Sequence, residues 1–332
     1  MRNHLSIGLI SLFAWNLLPA ANHEILVIVG APGESVYEAG FKKAAEAWEN
    51  AGEKAEASTT VIGIEDSPEM GDRDTIQDWI QNLDTAAAAP AWIIYIGHGT
   101  NNRRNSFLNL RGPDLSAVDL ASWLPKMERT LIIIHGGSAG SPILKSLAGP
   151  NRIIISATRT PDEINYARFG EYFAEIISEG EGDIDQDGQT SLLEAFLSTA
   201  DRIDAFYTET GRLASEHSLI DDNGDELGTP PDWFRGIRVT KNAKGGQSPD
   251  GFRAHQIALI PSELEKQLSP EQRQERDSIE AELEELRKRK TSFVEDEYYE
   301  TLEAMLLRLS AIYLTRDANG DIIEISTEEK GS

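Results

Sequence analysis

The chain has 332 residues, 40% of them hydrophobic, a net charge of −25 and no cysteine. That length carries one large domain with an appendage, or two modest domains, and the lack of cysteine excludes disulfides, thiolate metal sites and thiol catalysis. The acidic surface repels nucleic-acid phosphates and anionic lipid, and it attracts cations.

Residues 1–4 are short and basic, 5–18 almost wholly apolar, and Pro19-Ala20-Ala21 supply small residues. This is the layout of a secretory signal peptide cleaved near Ala20 or Ala21, with an apolar run too short for a bilayer span. The mature protein is therefore expected to be exported, periplasmic or extracellular, and free of the membrane once the signal is removed.

Five short aliphatic runs follow, at 24–30, 60–64, 92–97, 131–134 and 152–157. Helical patterns lie between them: Phe41, Ala44, Ala45 and Trp48 share one helix face, and 74–83 and 115–124 read the same way. Buried strands alternating with helices predict an α/β fold, a mainly parallel sheet with helices on both faces. Ligands in such sheets bind at the carboxyl ends of the strands. Gly30-Ala-Pro-Gly33 follows the first run but matches no phosphate-loop fingerprint and reads as a strand-to-helix turn. Residues 241–251 read as a surface loop.

The C-terminal part changes character. Ser262, Ser269 and Ser292 each stand three residues before a Glu or Gln, the capping-box spacing, and Pro270 sits at the favoured first helical position. One apolar stripe runs through Ile279, Leu283 and Leu286, another through Tyr298, Leu302, Met305, Leu309 and Ile312. Two long helices joined near 290–292 form an antiparallel hairpin. The organisation expected is a signal peptide at 1–21, an α/β domain at 22–249, the helical hairpin at 250–316 and a tail at 317–332.

Residues 183–194 fit the EF-hand calcium loop position by position. Asp183, Asp185 and Asp187 bring three carboxylates to one side of a tight loop, and Gly188 permits the turn at position six. Gln189 offers its backbone carbonyl, Ser191 coordinates directly or through water, and Glu194 closes the set at position twelve. Thr190 at position eight, where paired hands carry an aliphatic residue, points to a lone structural hand with Ca2+ as its ion. The incoming helix fits 169–178; the outgoing one is marked by Leu193, Phe196, Ala200, Ile203 and Tyr207. Asp221, Asn223 and Asp225 repeat the first three ligand positions with Asp232 at the twelfth, but Glu226 stands where glycine belongs. Residues 317–321 read better as a hairpin turn than as a metal loop.

Two strand ends carry candidate chemistry. The run at 92–97 ends in His98-Gly99-Thr100, and the run at 131–134 ends in His135-Gly-Gly-Ser138-Ala-Gly140-Ser141. A strand ending in His-Gly, followed about forty residues on by one ending in a small-residue loop, resembles the legumain- and caspase-like cysteine peptidases. Residues 152–158 resemble that family's next core strand and 219–225 its acidic segment in legumain-type bacterial relatives, so the resemblance covers roughly 24–236. It implies a three-layer caspase/legumain-like fold in which His98 is the general base, the Gly99 amide an oxyanion donor, and Gly137 or Ser138 the position of the family's nucleophilic cysteine. Neither is a thiol.

If Gly137 holds that place, covalent catalysis is lost. If Ser138 holds it, a Ser138–His98 pair with the Gly99 and Ser138 amides makes a serine peptidase or esterase, without a third residue in view to orient His98. A zinc ion shared by His98 and His135 lacks a third ligand. Arg103, Arg104 and Arg111 offer cations for an acidic ligand beside the cleft, or form a solvated loop. The leading expectation is a calcium-binding pseudo-peptidase that holds a peptide or protein partner without covalent catalysis. The serine hydrolase and a calcium-stabilised structural module are the alternatives.

Overall fold

In the computed structural model the chain is described over residues 22–316, apart from 66–69, 103–104, 242, 244–245 and 247, together with 322–323. The expected signal segment at 1–21, Arg103, Arg104 and the turn at 317–321 lie outside the described residues. The chain opens with β1 (Glu24–Val29), α1 (Ser35–Lys54), β2 (Ser58–Ile62) and α2 (Asp72–Gln81). Next come β3 (Ala91–Ile96), β4 (Gly99–Asn102), β5 (Asn105–Leu108), β6 (Leu115–Ser116) and α3 (Ala117–Trp123). Then follow β7 (Leu131–His135), α4 (Ser141–Leu147), β8 (Arg152–Ser156), α5 (Phe169–Glu179), α6 (Leu192–Glu209) and β9 (Leu219–Asp221). The C-terminal part holds α7 (Phe252–His255), α8 (Glu263–Gln267), α9 (Pro270–Lys288) and α10 (Glu295–Tyr313).

The aliphatic runs become strands because both faces of the sheet are covered. The strand order is β2-β1-β3-β7-β8-β9. All neighbours run parallel except β9, which lies antiparallel on β8. Alternate residues feed two cores. Ile25, Val27, Trp92, Ile94, Ile132 and Ile134 join Trp48, Phe173 and Phe196 of α1, α5 and α6. Leu26, Ile28, Ile93, Tyr95 and Ile133 join Ile76, Leu120, Ile143 and Leu147 of α2, α3 and α4. Three layers result, as the strand and helix alternation predicts.

β4, β5 and β6 form a small antiparallel sheet that grows directly from the tip of β3. The chain also stays in the main core past residue 249: Asp250 is buried, and Ala254 and Leu259 pack under the α1–α5–α6 face.

The α9–α10 hairpin forms with its own small core of Ile279, Leu283 and Ile312, flanked by Leu302, Met305 and Leu309. Ser269 and Gln272 make the expected capping box with Pro270 in the first turn, and Ser262 caps α8. The third box does not form. Ser292 lies inside a one-turn 3-10 helix at Lys290–Ser292, so α10 starts two residues later behind Val294, which has no side chain able to cap. Among the described residues no helix is long and apolar enough to cross a membrane.

Candidate functional site

The parallel register sets Tyr95 beside His135 and His135 beside Ser156, so the tips of β3, β7 and β8 meet at one edge of the sheet. His98, just past the end of β3, is half-buried and turned toward α1. Its Nε2 lies 3.1 Å from the Pro32 carbonyl. A carbonyl only accepts, so Nε2 carries the proton and donates. Aromatic rings enclose the imidazole: Tyr37 at 4.8 Å, Phe41 at 5.4 Å and Tyr166 at 5.7 Å between centroids. The Tyr166 hydroxyl in turn donates to the Glu171 carboxylate.

Ser138 is buried and faces Gly99 rather than His98. Its Oγ donates to the Gly99 carbonyl at 3.0 Å and accepts the Gly99 amide at 3.2 Å. The amide that the resemblance makes an oxyanion donor is therefore already paired with a hydroxyl of the same chain. Gly137 has no room for a side chain. A Cβ there would stand 2.5 Å from the Gly97 carbonyl oxygen and 3.2 Å from Tyr95 Cε1. At Gly136 it would meet the Gly170 Cα at 2.7 Å, and at Gly99 the Ser138 carbonyl at 2.0 Å. The strand tips thus meet backbone on backbone, which only glycine allows. The structure brings Gly99 and Ser138 together, sets Gly137 against Gly97, and places His98 in a separate aromatic setting.

His135 lies beneath this loop. It is fully buried and stacked on Tyr95 at 5.2 Å, and neither ring nitrogen has a hydrogen-bond partner of normal geometry. Burial pushes the imidazole down to about 4, so it is neutral at physiological pH. Tyr95 fixes the β3 tip from the other side: its hydroxyl donates to the His98 carbonyl at 2.6 Å and accepts the Asn109 amide at 2.9 Å.

The acidic loop at 183–194 joins α5 to α6, the two helices that the spacing predicts for it. Carboxylate oxygens of Asp183, Asp185 and Asp187 converge within 4.8 Å of one another. Gln186 and Gly188 take left-handed conformations, φ 63° and 88°, which curl the loop around those oxygens. Asp183 accepts the amides of Asp187 and Gly188, so the loop holds its shape through its own backbone.

Glu194 is buried and does two things at once. Its Oε1 accepts the Ile184 and Asp185 amides, while its Oε2 accepts the Ser191 amide and hydroxyl, completing a capping box on α6. Burial, and then the nearby Glu194 charge, raise the Asp185 carboxyl above its ordinary range; burial also raises Asp187. Three convergent carboxylates with a fourth beneath them make a donor set suited to a hard divalent cation.

The loop is braced by the chain ahead of α8. Ser191 bridges to Ala258, Leu192 donates to the Ile257 carbonyl, and Gln189 Oε1 accepts the Ser262 amide at 3.2 Å.

The second acidic segment takes a partner that its spacing does not name. Asp221 and Asp225 converge with Asp250, not with Asp232, which lies exposed in an ion pair with Lys241. Asp250 accepts the Asp222 and Asn223 amides and the Thr229 hydroxyl. Burial raises its carboxyl to about 8. Sequence reasoning missed Asp250 because it sits in a polar stretch that reads as surface. The aromatic enclosure of His98 was also missed, since Tyr37 and Tyr166 lie far from it in sequence. Arg111 is not a loose cation: it forms a two-pronged ion pair with the buried Asp72.

The chain matches no protein-family model and no curated protein. It is similar to solved structures. The initiator caspase Dronc from Drosophila is 11% identical, over 61% of this chain and 80% of that one, with a TM-score of 0.42. Protein GSU0716 from Geobacter sulfurreducens is 12% identical, over 60% and 92%, with a TM-score of 0.39. Caspase-1 from Spodoptera frugiperda is 10% identical, over 61% and 87%, with a TM-score of 0.38.

Proposed function

We propose that this is an exported calcium-binding protein built on a retired peptidase site, which holds a peptide or protein partner without covalent chemistry. One observation carries the reading: the Ser138 hydroxyl and the Gly99 amide satisfy each other, and Gly137 has no space for a nucleophile. A serine hydrolase needs that hydroxyl aimed at an imidazole and that amide open to an oxyanion. Both groups are spent on holding the strand tips together.

Calcium would be held by Asp183, Asp185, Asp187, the Gln189 carbonyl, Ser191 and Glu194. The ion would supply positive charge to a loop whose carboxylates repel one another. Binding only the folded state, it would stabilise the α5–α6 junction by mass action. Glu194 would exchange part of its amide set for the ion, and Ser191 would keep α6 capped.

A cleft of about 400 Å³ opens between the β4–β5 hairpin, α3, α4 and the loop after β8. Asn101, Asn102, Asn105 and Ser106 line one side, Pro142 and Pro161 another. β4 is the edge of its sheet and exposes Thr100, Asn101 and Asn102. Amide-rich walls and an open strand edge suit an extended peptide.

The test pairs a fluorophosphonate probe and a peptide-substrate library with the wild-type protein and Ser138→Ala. We expect no labelling and no turnover from either. Labelling that disappears in Ser138→Ala would establish the serine enzyme instead. Peptides selected on the calcium-treated protein should lose binding in Ser146→Arg, which narrows the cleft; selection that yields none would remove the partner reading.

A further inference from the structure

Three of the six residues that would hold calcium, Asp185, Gln189 and Ser191, also touch residues 255–262, the strap of chain that runs from the end of α7 to the start of α8. His255 Nε2 stands 3.6 Å from Asp185 Oδ2. The Ser191 backbone pairs with Ala258 in an antiparallel bridge, and the Ser262 amide donates to the Gln189 side-chain oxygen at 3.2 Å. The strap is seated on the main core through Leu259, so its contact with the loop is part of the folded body.

The same strap carries the hairpin. Gln256 Nε2 donates to the Asp277 carbonyl at 3.2 Å and to Glu280 Oε2 at 3.3 Å, both on α9. Ser262 caps α8 by accepting the Glu265 amide at 3.2 Å, and Glu265 is ion-paired with the buried Arg276 of α9. Arg273 of α9 donates to the Glu265 carbonyl at 2.8 Å. Farther along α9, Lys288 Nζ donates to Ser248 Oγ at 3.3 Å. Among the described residues the hairpin core of Leu268, Ile279, Leu283 and Ile312 is separate from the two cores that flank the sheet. The hairpin's seat on the α/β domain therefore leans on polar ties, each individually weak in reach of water. A change at the loop end of the strap is passed along a contiguous set of bonds to α9.

We propose that residues 255–262 are a calcium-operated latch: an ion in the 183–194 loop fixes the strap, and the strap holds the α9–α10 hairpin against the α/β domain. The inference rests on the calcium reading above. An ion that draws Asp185, Gln189 and Ser191 together sets the strap contacts made by those same residues. Its removal leaves three convergent carboxylates repelling one another, which loosens the loop and the strap with it. Such coupling is reciprocal, so the seated hairpin strengthens calcium binding by the factor by which calcium favours the seated hairpin.

The chain lacks cysteine, so spin labels at Asn50→Cys on α1 and Glu303→Cys on α10, both exposed, report the distance between the α/β domain and the hairpin cleanly. With calcium the full chain should give one narrow distance distribution, and with chelator a distribution about twice as wide. Gln256→Ala combined with Ser262→Pro cuts the strap from α9 and from Gln189, at a φ of −64° that proline accepts. That variant should give the wide distribution in both conditions and bind calcium about five-fold more weakly by calorimetry. A distribution that calcium and chelator leave identical, in a chain that calorimetry shows to bind calcium, overturns the latch and leaves the calcium reading standing. Undiminished calcium affinity in the double variant does the same. A wild-type chain that binds no calcium removes both.

Discussion

Adding a side chain at the β7 tip tests whether the site is closed. In Gly137→Ala the new Cβ meets the Gly97 carbonyl oxygen at 2.5 Å. Ordinary carbon–oxygen contact needs about 3.3 Å, so backbone must move by about 0.8 Å. Gly97 cannot yield freely. Its neighbour His98 is fixed by the Tyr95 hydroxyl, and Gly136 already touches Gly170. Overpacking of this kind costs about 2–3 kcal/mol, which lowers Tm by about 5 °C in a chain of this size. Gly149→Ala is the control: its nearest neighbour would be Arg152 Cδ at 3.9 Å. It should be neutral, or stabilising by about 0.5 kcal/mol through the unfolded chain. Urea unfolding reads both, and Gly137→Cys extends the series with iodoacetamide labelling and peptide turnover. If Gly137→Ala were as stable as Gly149→Ala, and Gly137→Cys cleaved a peptide in a His98-dependent way, the tips would have room for a nucleophile and the site would not be closed.

Three further outcomes follow from the same contacts. Calcium at a hundred times its dissociation constant should stabilise the protein by about 2.7 kcal/mol, seen as a chelator-sensitive Tm shift. Glu194→Gln should abolish the shift and keep the cap, since Gln serves a capping box; an unchanged shift would show that Glu194 caps and nothing more. Acid sensitivity should come in part from two imidazoles, the buried His135 and the half-buried His23, each pushed from 6.5 to about 4 by burial. Both are neutral in the fold. Their contribution is complete above pH 6.5 and is lost as pH falls toward 4, by on the order of 3 kcal/mol each. His135→Leu should remove its own share of that loss, on the order of 3 kcal/mol, in denaturant titrations run from pH 7 to 4, and an identical pH dependence in the variant would exclude the ring as a source. Asp222→Ala strips the acceptor from the buried Gly251 and Ala254 amides and should cost about 2–4 kcal/mol; a change under about 0.5 kcal/mol would mean those amides find other partners.

Much of the fold was legible because burial on both faces writes unbroken aliphatic runs such as 92–97 and 152–157. The hairpin was legible because Ile279, Leu283 and Leu286 repeat at helical spacing and Pro270 marks a start. Short-range devices were harder to read. Ser292 has the right spacing for a cap, but a 3-10 turn consumed it, and β4–β5 lacks a run long enough to read as strands. The site was half legible. Local spacing named Asp183, Asp185 and Asp187, which do converge. The resemblance to the legumain- and caspase-like peptidases named His98, Gly99 and Ser138 but could not say that the hydroxyl turns to the amide. That depends on how closely β3 and β7 approach, a property of four glycines acting together. Asp250 could not be found at all, because its meeting with Asp221 follows from the path of a chain segment with no pattern of its own.

Amide hydrogen exchange at Gly99 addresses the closed tip most directly. Its donor is buried and paired with Ser138 Oγ. We expect slow exchange in the wild type, slowed like the core strands, and much faster exchange in Ser138→Ala with β3 unchanged. Rapid exchange at Gly99 in the wild-type protein would mean that the amide stands open to solvent and to an oxyanion, and the reading of a retired site would not survive it.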